Sequence, residues 1–472
     1  MNRIIEASKD RGYNYGHMTL GECIDVANIT DNSVGTVILQ EVMDTEDKSY
    51  EQVVNDMQEA FAHNMYATQV GLDGESFLLG RVGYDLTKEN SKKIIDDDFV
   101  NKMVSYTLAA QVGNHTVGLR PCAGTGDSCP YTGFIRAVQE NISDQNLVDR
   151  VMAVVLKIGG IFRVGKTTTG CNMEGFGAGA AAVAAGFVEL EAGTPDQVEK
   201  AVVLALSPTL SVPCTPRVMV PGLCATHIGA AILVGRLASH LAMYTSLPST
   251  VPVDVMIATA EQCHLASAEH IVPITIKYME PFFRHDKRVD LYVDEKAIQQ
   301  EKERQKTLIE EATLQARALS DRANPITHPF GEAVVGGSSQ GVGSPTNCAR
   351  IAHFLSKGKI SKIKIELFTE LFARRAINIP GILMGAVEGA STKDAEAYKK
   401  IIDKVKKQGI EVEIVEVYEP SVQRVTIYAS EGNSMVDSLN RGGARLVLRN
   451  AEPSLERAYE IAKELDIVVL DQ

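Results

Sequence analysis

Three cysteines stand where the backbone is forced to turn: Cys171 follows Gly170, Cys214 lies within "VPCTPR", and Cys224 lies within "PGLCATH". Thiols that merely fill a core sit inside regular elements among apolar neighbours. These sit at Gly and Pro breaks, where several side chains can be aimed at one point and backbone N–H groups are free to bond an anion. The spacing C-x42-C-x9-C fits no zinc-finger template and contains no C-x2-C ferredoxin pair. On spacing alone, separate buried thiols are the better reading. Three converging thiolates would nevertheless have a definite chemistry. Four cysteines close a [4Fe–4S] cluster for electron transfer; three leave one iron open as a Lewis acid that can bind and expel a hydroxyl. The slender run "GFGAGAAAVAAGF" after Cys171 would let such a cluster approach the backbone.

A polar stretch, "NHTVGLRPCAGTGDSCPYTGFI" over 114–135, reads as a loop between helices and offers Thr125, Asp127 and Ser128 as substrate contacts. Ser338 and Ser339 in "GGSSQGVGSPTNCARIA" are further candidates. Turn and cap bonding accounts for any one of these hydroxyls equally well. His115 precedes the glycine loop and His227 follows Cys224 by three residues, so both are candidate bases, although a lone histidine is more often structural. Arg120 and Arg217 flank the same loops and could clamp a carboxylate; a surface salt bridge is the plainer alternative. Cys122 and Cys129 read as incidental thiols of the first loop, and Cys23, Cys263 and Cys348 as core.

The elements that must position these residues divide at about residue 278. Helical periodicity dominates the first 270 residues, as in "SYEQVVNDMQEAFAHNMYATQVGL", and Thr194 with Pro195 marks a helix start. We expect an all-helical catalytic domain over 1–277, a charged helical connector over 278–325, and a smaller α/β domain over 326–472. In the last, runs such as "KISKIKIELF", "IEVEIVEV", "SVQRVTIYAS" and "ARLVLRN" alternate with helical patterns. The fold class is thus multidomain, α then α/β. A net charge of −13, with no basic block, argues against nucleic acid and anionic membrane as partners. The longest apolar stretch, Gly175 to Val188, is 14 residues and too short to span a bilayer. With no apolar leader at the N-terminus, the expected location is cytoplasmic, where the eight cysteines are metal-binding, catalytic or buried rather than disulfide-bonded.

The stretch from "GCNMEGFGAG" to "PGLCATHIGAAILVGRLA" resembles the catalytic α-part of bacterial iron–sulfur L-serine dehydratases, and "NHTVGLRPCAGTGDSCPYTGFIRAV" is similar to that family's A-P-T-x-G loop. "GGSSQGVGSPTNCARIA" with the strand after it resembles the family's β-part, so the likeness touches most of residues 80 to 400. The pattern departs at Gln340 and Gly341, where the family has His-Thr, and at Ser344, where it has proline. The resemblance implies that Cys171, Cys214 and Cys224 hold a [4Fe–4S] cluster, with no pyridoxal phosphate. It also implies β-elimination from L-serine or a similar small hydroxylated carboxylic acid, with the α/β domain lending its serine-rich loop. A homo-oligomer, such as a dimer, is expected. Three rivals stand beside this reading: a cysteine desulfidase-type elimination of sulfide, with Cys23 in about the right region; a non-enzymatic ligand-binding protein with its thiols in the core; and a structural zinc site.

Overall fold

The computed structural model describes residues 3–120, 128–163, 176–210, 212, 223–323, 327, 338–391 and 394–471. The chain divides into two compact units, Met1–Ala316 and Arg317–Gln472, each with its own apolar core.

The described elements of the N-terminal unit are helical. They are α1 (Arg3–Arg11), α2 (Leu20–Thr30), α3 (Val34–Glu46), α4 (Tyr50–Asp73), α5 (Val82–Thr87), α6 (Asp98–Val117), α7 (Cys129–Asn141) and α8 (Gln145–Arg163). Then follow α9 (Ala178–Leu190), α10 (Pro195–Leu206), α11 (Leu223–Tyr244), α12 (Val253–Ala266), α13 (Val272–Met279), α14 (Lys287–Asp290) and α15 (Glu295–Arg322). Caps set several starts. Thr194 and Gln197 form a reciprocal capping box ahead of Pro195, as the sequence predicts for α10. The charged helix α15 buries only Leu308.

Side-chain register reveals how the central helices run. Cys129 of α7 meets Gln111 of α6, and Gly133 meets Thr107, so these two are antiparallel. Arg150 of α8 bonds Glu189 of α9, while Val155 lies against Gly186, again antiparallel. Gln197, at the start of α10, reaches Met243 near the end of α11, and α10 packs along α11. Pro130 and Phe134 of α7 face Gly179 and Phe187 of α9. Phe176 and Val183 face His227 and Gly235 of α11. Helices α7, α9 and α11 are therefore parallel. Their N-termini lie at one end of the unit, where α6, α8 and α10 finish.

Every residue of α9 from Ala178 to Glu189 is buried, between α7, α8, α10 and α11. Small side chains let four neighbouring helices close around α9: a Cβ on Gly186 would come within 2.5 Å of Phe134 Cε1.

The C-terminal unit holds α16 (Ser338–Leu355), β1 (Ile360–Phe368), α17 (Thr369–Ala373), α18 (Arg375–Glu388), α19 (Ala395–Gln408), β2 (Glu411–Val417), β3 (Val422–Ala429), β4 (Ser434–Asn440), β5 (Leu446–Glu452) and α20 (Leu455–Glu464). The strand order is β2-β1-β3-β4-β5; β1 and β2 are parallel and the other pairs antiparallel. Ile363, Ile365 and Leu367 alternate into the core, while Lys362 points outward to bridge Glu411 and Glu413.

Two loop expectations are corrected. The first loop is shorter than 114–135, because α6 runs to Val117 and α7 begins at Cys129. The segment from Ser338 is the first turn of α16, not a loop. Ser344 within it is fully buried, donating to Arg445 O at 2.7 Å and accepting from Gln423 Nε2 at 2.8 Å.

Candidate active site

The end of α6 carries a polar network. Cys129 Sγ donates to Gln111 Oε1 at 2.8 Å, which leaves the Gln111 amide nitrogen facing His115 Nε2 at 3.3 Å. An amide nitrogen only donates, so His115 Nε2 accepts and Nδ1 carries the hydrogen, 3.3 Å from Ser76 Oγ. Burial lowers the His115 pKa below its usual value, so the ring is neutral near pH 7. Both its nitrogens are occupied. This histidine braces the end of α6.

Residues 118–120, which lead out of α6, are bound along their backbone. His63 Nε2 donates to Gly118 O at 2.9 Å, and Leu119 N donates to Asn114 Oδ1 at 2.9 Å. Arg120 N donates to Asn64 Oδ1 at 2.9 Å, and Asn64 Nδ2 donates to Arg120 O at 2.8 Å. Both His63 and Asn64 come from α4. That helix lies close to α6 because Gly71 and Gly113 let the two backbones touch: a Cβ on Gly113 would fall 1.9 Å from Ala67 O. At the far side of the connection Ser128 is fully buried, and its carbonyl accepts from Thr132 of α7.

The start of α11 supplies the second half. Cys224, its second residue, is buried. One turn on, His227 is 8% exposed, and its Nε2 is buried with no hydrogen-bond partner among the described residues. The Phe176 ring, just ahead of α9, packs edge-on against it with centroids 5.0 Å apart. Burial pushes the His227 imidazole down to about 4. The ring is neutral near pH 7, with an open lone pair or N–H depending on tautomer.

Of the residues singled out in the sequence, His115, Ser128, Cys224 and His227 lie where α6 ends and α7 and α11 begin. Cys171, Cys214, Thr125, Asp127, Arg217 and Cys122 lie outside the described residues. Ser338 and Ser339 open α16 of the C-terminal unit. Among the described residues no group of three His, Cys, Asp or Glu side chains converges as a metal site. Sequence reasoning missed Asn64, Gln111 and Ser76. The signal available was Gln111, Asn114 and His115, polar residues at helical spacing along the end of an otherwise apolar helix. Cys23 is fully buried, and that burial pushes its thiol up to about 12.

Residues 28–272, just over half of the 472-residue chain, match the serine dehydratase alpha chain family. The chain belongs to that family. One relative is the probable L-serine dehydratase alpha chain of Bacillus subtilis (strain 168), 26% identical over 254 residues that cover 50% of this chain and 82% of the relative. The family match spans all three connections at the shared helix end and stops within the N-terminal unit. It starts before, and ends well short of, the 80–400 stretch over which the sequence resembles serine dehydratases. Membership makes the chain serine dehydratase-like, with lyase chemistry as the corresponding class. No helix among the described residues is long and apolar enough to cross a membrane.

Proposed function

We propose that this serine dehydratase family protein is an iron–sulfur-dependent lyase that eliminates water from L-serine or a closely similar hydroxylated carboxylic acid. Cys171, Cys214 and Cys224 would hold the [4Fe–4S] cluster. One observation carries this reading: α9 and α11 start at the same end of the unit, so the connections bearing Cys171 and Cys214 join helix ends that lie together with the first turn of α11, which carries Cys224. Phe176, five residues after Cys171, touches His227, three residues after Cys224.

The donor set suits the group. A buried imidazole nitrogen left unbonded costs about 1–3 kcal/mol, and His227 Nε2, one turn from the buried Cys224, has no partner among the described residues. When bound, the cluster supplies a Lewis-acidic iron that polarises the leaving hydroxyl.

The protein's own residues do the rest. Neutral His227 accepts the α-proton at Nε2, and the electron pair of the broken C–H bond forms the Cα–Cβ double bond as the hydroxyl leaves as hydroxide. The hydroxide becomes water by taking a proton from solvent, while the His227 imidazolium later returns its own to solvent. The 2-aminoacrylate released from serine tautomerises and hydrolyses to pyruvate and ammonia. Thr125, Asp127, Ser128 and Arg217 are the proposed substrate contacts in the connections, and His115 keeps the end of α6 in place. L-serine as substrate is supported by the name of the Bacillus relative.

The test is anaerobic purification or reconstitution, followed by iron and sulfide analysis and a pyruvate assay with L-serine. About four irons and four sulfides per chain are expected, lost together in Cys171→Ala, Cys214→Ala and Cys224→Ala. A wild-type chain that takes up no iron under these conditions overturns the proposal.

A further inference from the structure

Residue 120 is held more firmly than a chain reversal requires. Its N–H and C=O are both bonded by one side chain, Asn64, which is fully buried and comes from a different helix. The two preceding residues are tied by His63 and Asn114. Burying an amide to grip a single residue's backbone fixes where that residue's side chain starts. That side chain is an arginine, exposed, and among the described residues its guanidinium has no ion-pair or hydrogen-bond partner. It stands at the end of α6, the same end of the unit at which α7, α9 and α11 begin.

We propose that Arg120 receives the substrate's carboxylate, and that Asn64 is the positioning residue that holds it for that contact. The proposal rests on the elimination reading above, whose whole substrate class carries a carboxylate. A guanidinium is the side chain suited to it: it offers two parallel N–H donors at the spacing of two carboxylate oxygens and is always charged. The carboxylate stays charged throughout the elimination, so the contact is made in the ground state and transition state alike. Its loss should raise KM and leave kcat nearly unchanged.

The experiment compares L-serine with L-serinamide, which lacks the carboxylate, on the iron-loaded full chain. Wild type, Arg120→Ala, Arg120→Lys and Asn64→Ala are assayed at matched iron content. Removing a charge-assisted contact should raise KM for serine by about 10- to 100-fold in Arg120→Ala, with kcat within a few-fold. Turnover of serinamide should be unchanged by that substitution, and Arg120→Lys should recover part of the loss. In Asn64→Ala, the KM for serine should rise while hydrogen exchange at the Arg120 amide speeds up. Equal effects on serine and serinamide, or an unchanged KM for serine, overturn the assignment to Arg120 while leaving the elimination reading intact. A wild-type chain that carries iron but dehydrates no serine overturns the elimination reading, and this assignment with it.

Discussion

At the scale of single residues, burial separates groups that look alike in sequence. His115 and His227 read as equal candidates, yet one has both ring nitrogens engaged and the other has Nε2 unbonded among the described residues. Which histidine is orphaned depends on neighbours far away in sequence, such as Ser76, and so is not legible from spacing. The His227 pKa of about 4 lies below its ordinary 6.5. Between those values the unfolded chain binds more protons than the folded one. Stability is therefore fully present above about pH 6.5 and drains away as pH falls toward 4, by about 3 kcal/mol in all. Urea unfolding of the metal-free chain at pH 7 and at pH 4.5 measures this, and His227→Leu should flatten the difference. In the same way, burial pushes the thiols of Cys23 and Cys348 up to about 12. Both should stay unlabelled by iodoacetamide at pH 8 in the native protein, as mass spectrometry of peptides would show. Rapid labelling of Cys23 would favour the sulfide-eliminating route.

At the scale of elements, local chemistry was legible wherever it alone decides. Thr194 capping α10 is the clearest case, and Thr194→Ala should cost about 1 kcal/mol in urea unfolding. Where tertiary contacts decide, the sequence misleads. The stretch Cys129–Ile135 looks like loop because it holds Pro130 and Gly133, but proline suits a first helical turn, and Gly133 is where α7 comes close to Thr107 of α6. Strand β4, "SMVDSLN", shows no apolar alternation, since its polar side chains are buried and paired: Gln423 donates to Ser438, and Asn440 donates back to Gln423. The α4–α6 contact is set by backbone proximity that no periodicity reports. A Cβ on Gly113 would overlap a main-chain carbonyl, not the tip of a flexible side chain. Gly113→Ala should therefore destabilise by about 2–3 kcal/mol, more than the loss of the Thr194 cap. It should also weaken protection of residues 118–120 in hydrogen exchange, because His63 and Asn64 hold them from α4.

At the scale of the whole molecule, the change from helical periodicity to alternating strands marked two bodies, and the structure gives each a separate apolar core. The C-terminal core draws on both faces of α16, the sheet and α18 to α20, with Ile363, Ile365, Leu367, Val425, Ile427 and Val436 at its centre. All of these residues lie within 326–472, so the interactions that stabilise this core survive when the rest of the chain is removed. We predict that a fragment of residues 326–472 folds cooperatively on its own and shows a single urea transition. Its one cysteine is Cys348, fully buried and hydrogen-bonded toward Val436 O, so the fragment should bind no iron under anaerobic reconstitution. The proposed function assigns the cluster to the unit that carries Cys171, Cys214 and Cys224, so on that proposal iron should raise the stability of one transition in the full chain and leave the other where the fragment unfolds. Circular dichroism in urea, with and without reconstitution, separates the two. A full chain that unfolds in one transition shifted as a whole by iron would mean that the two cores are energetically one, and that the division at the charged helix α15 is a matter of geometry only.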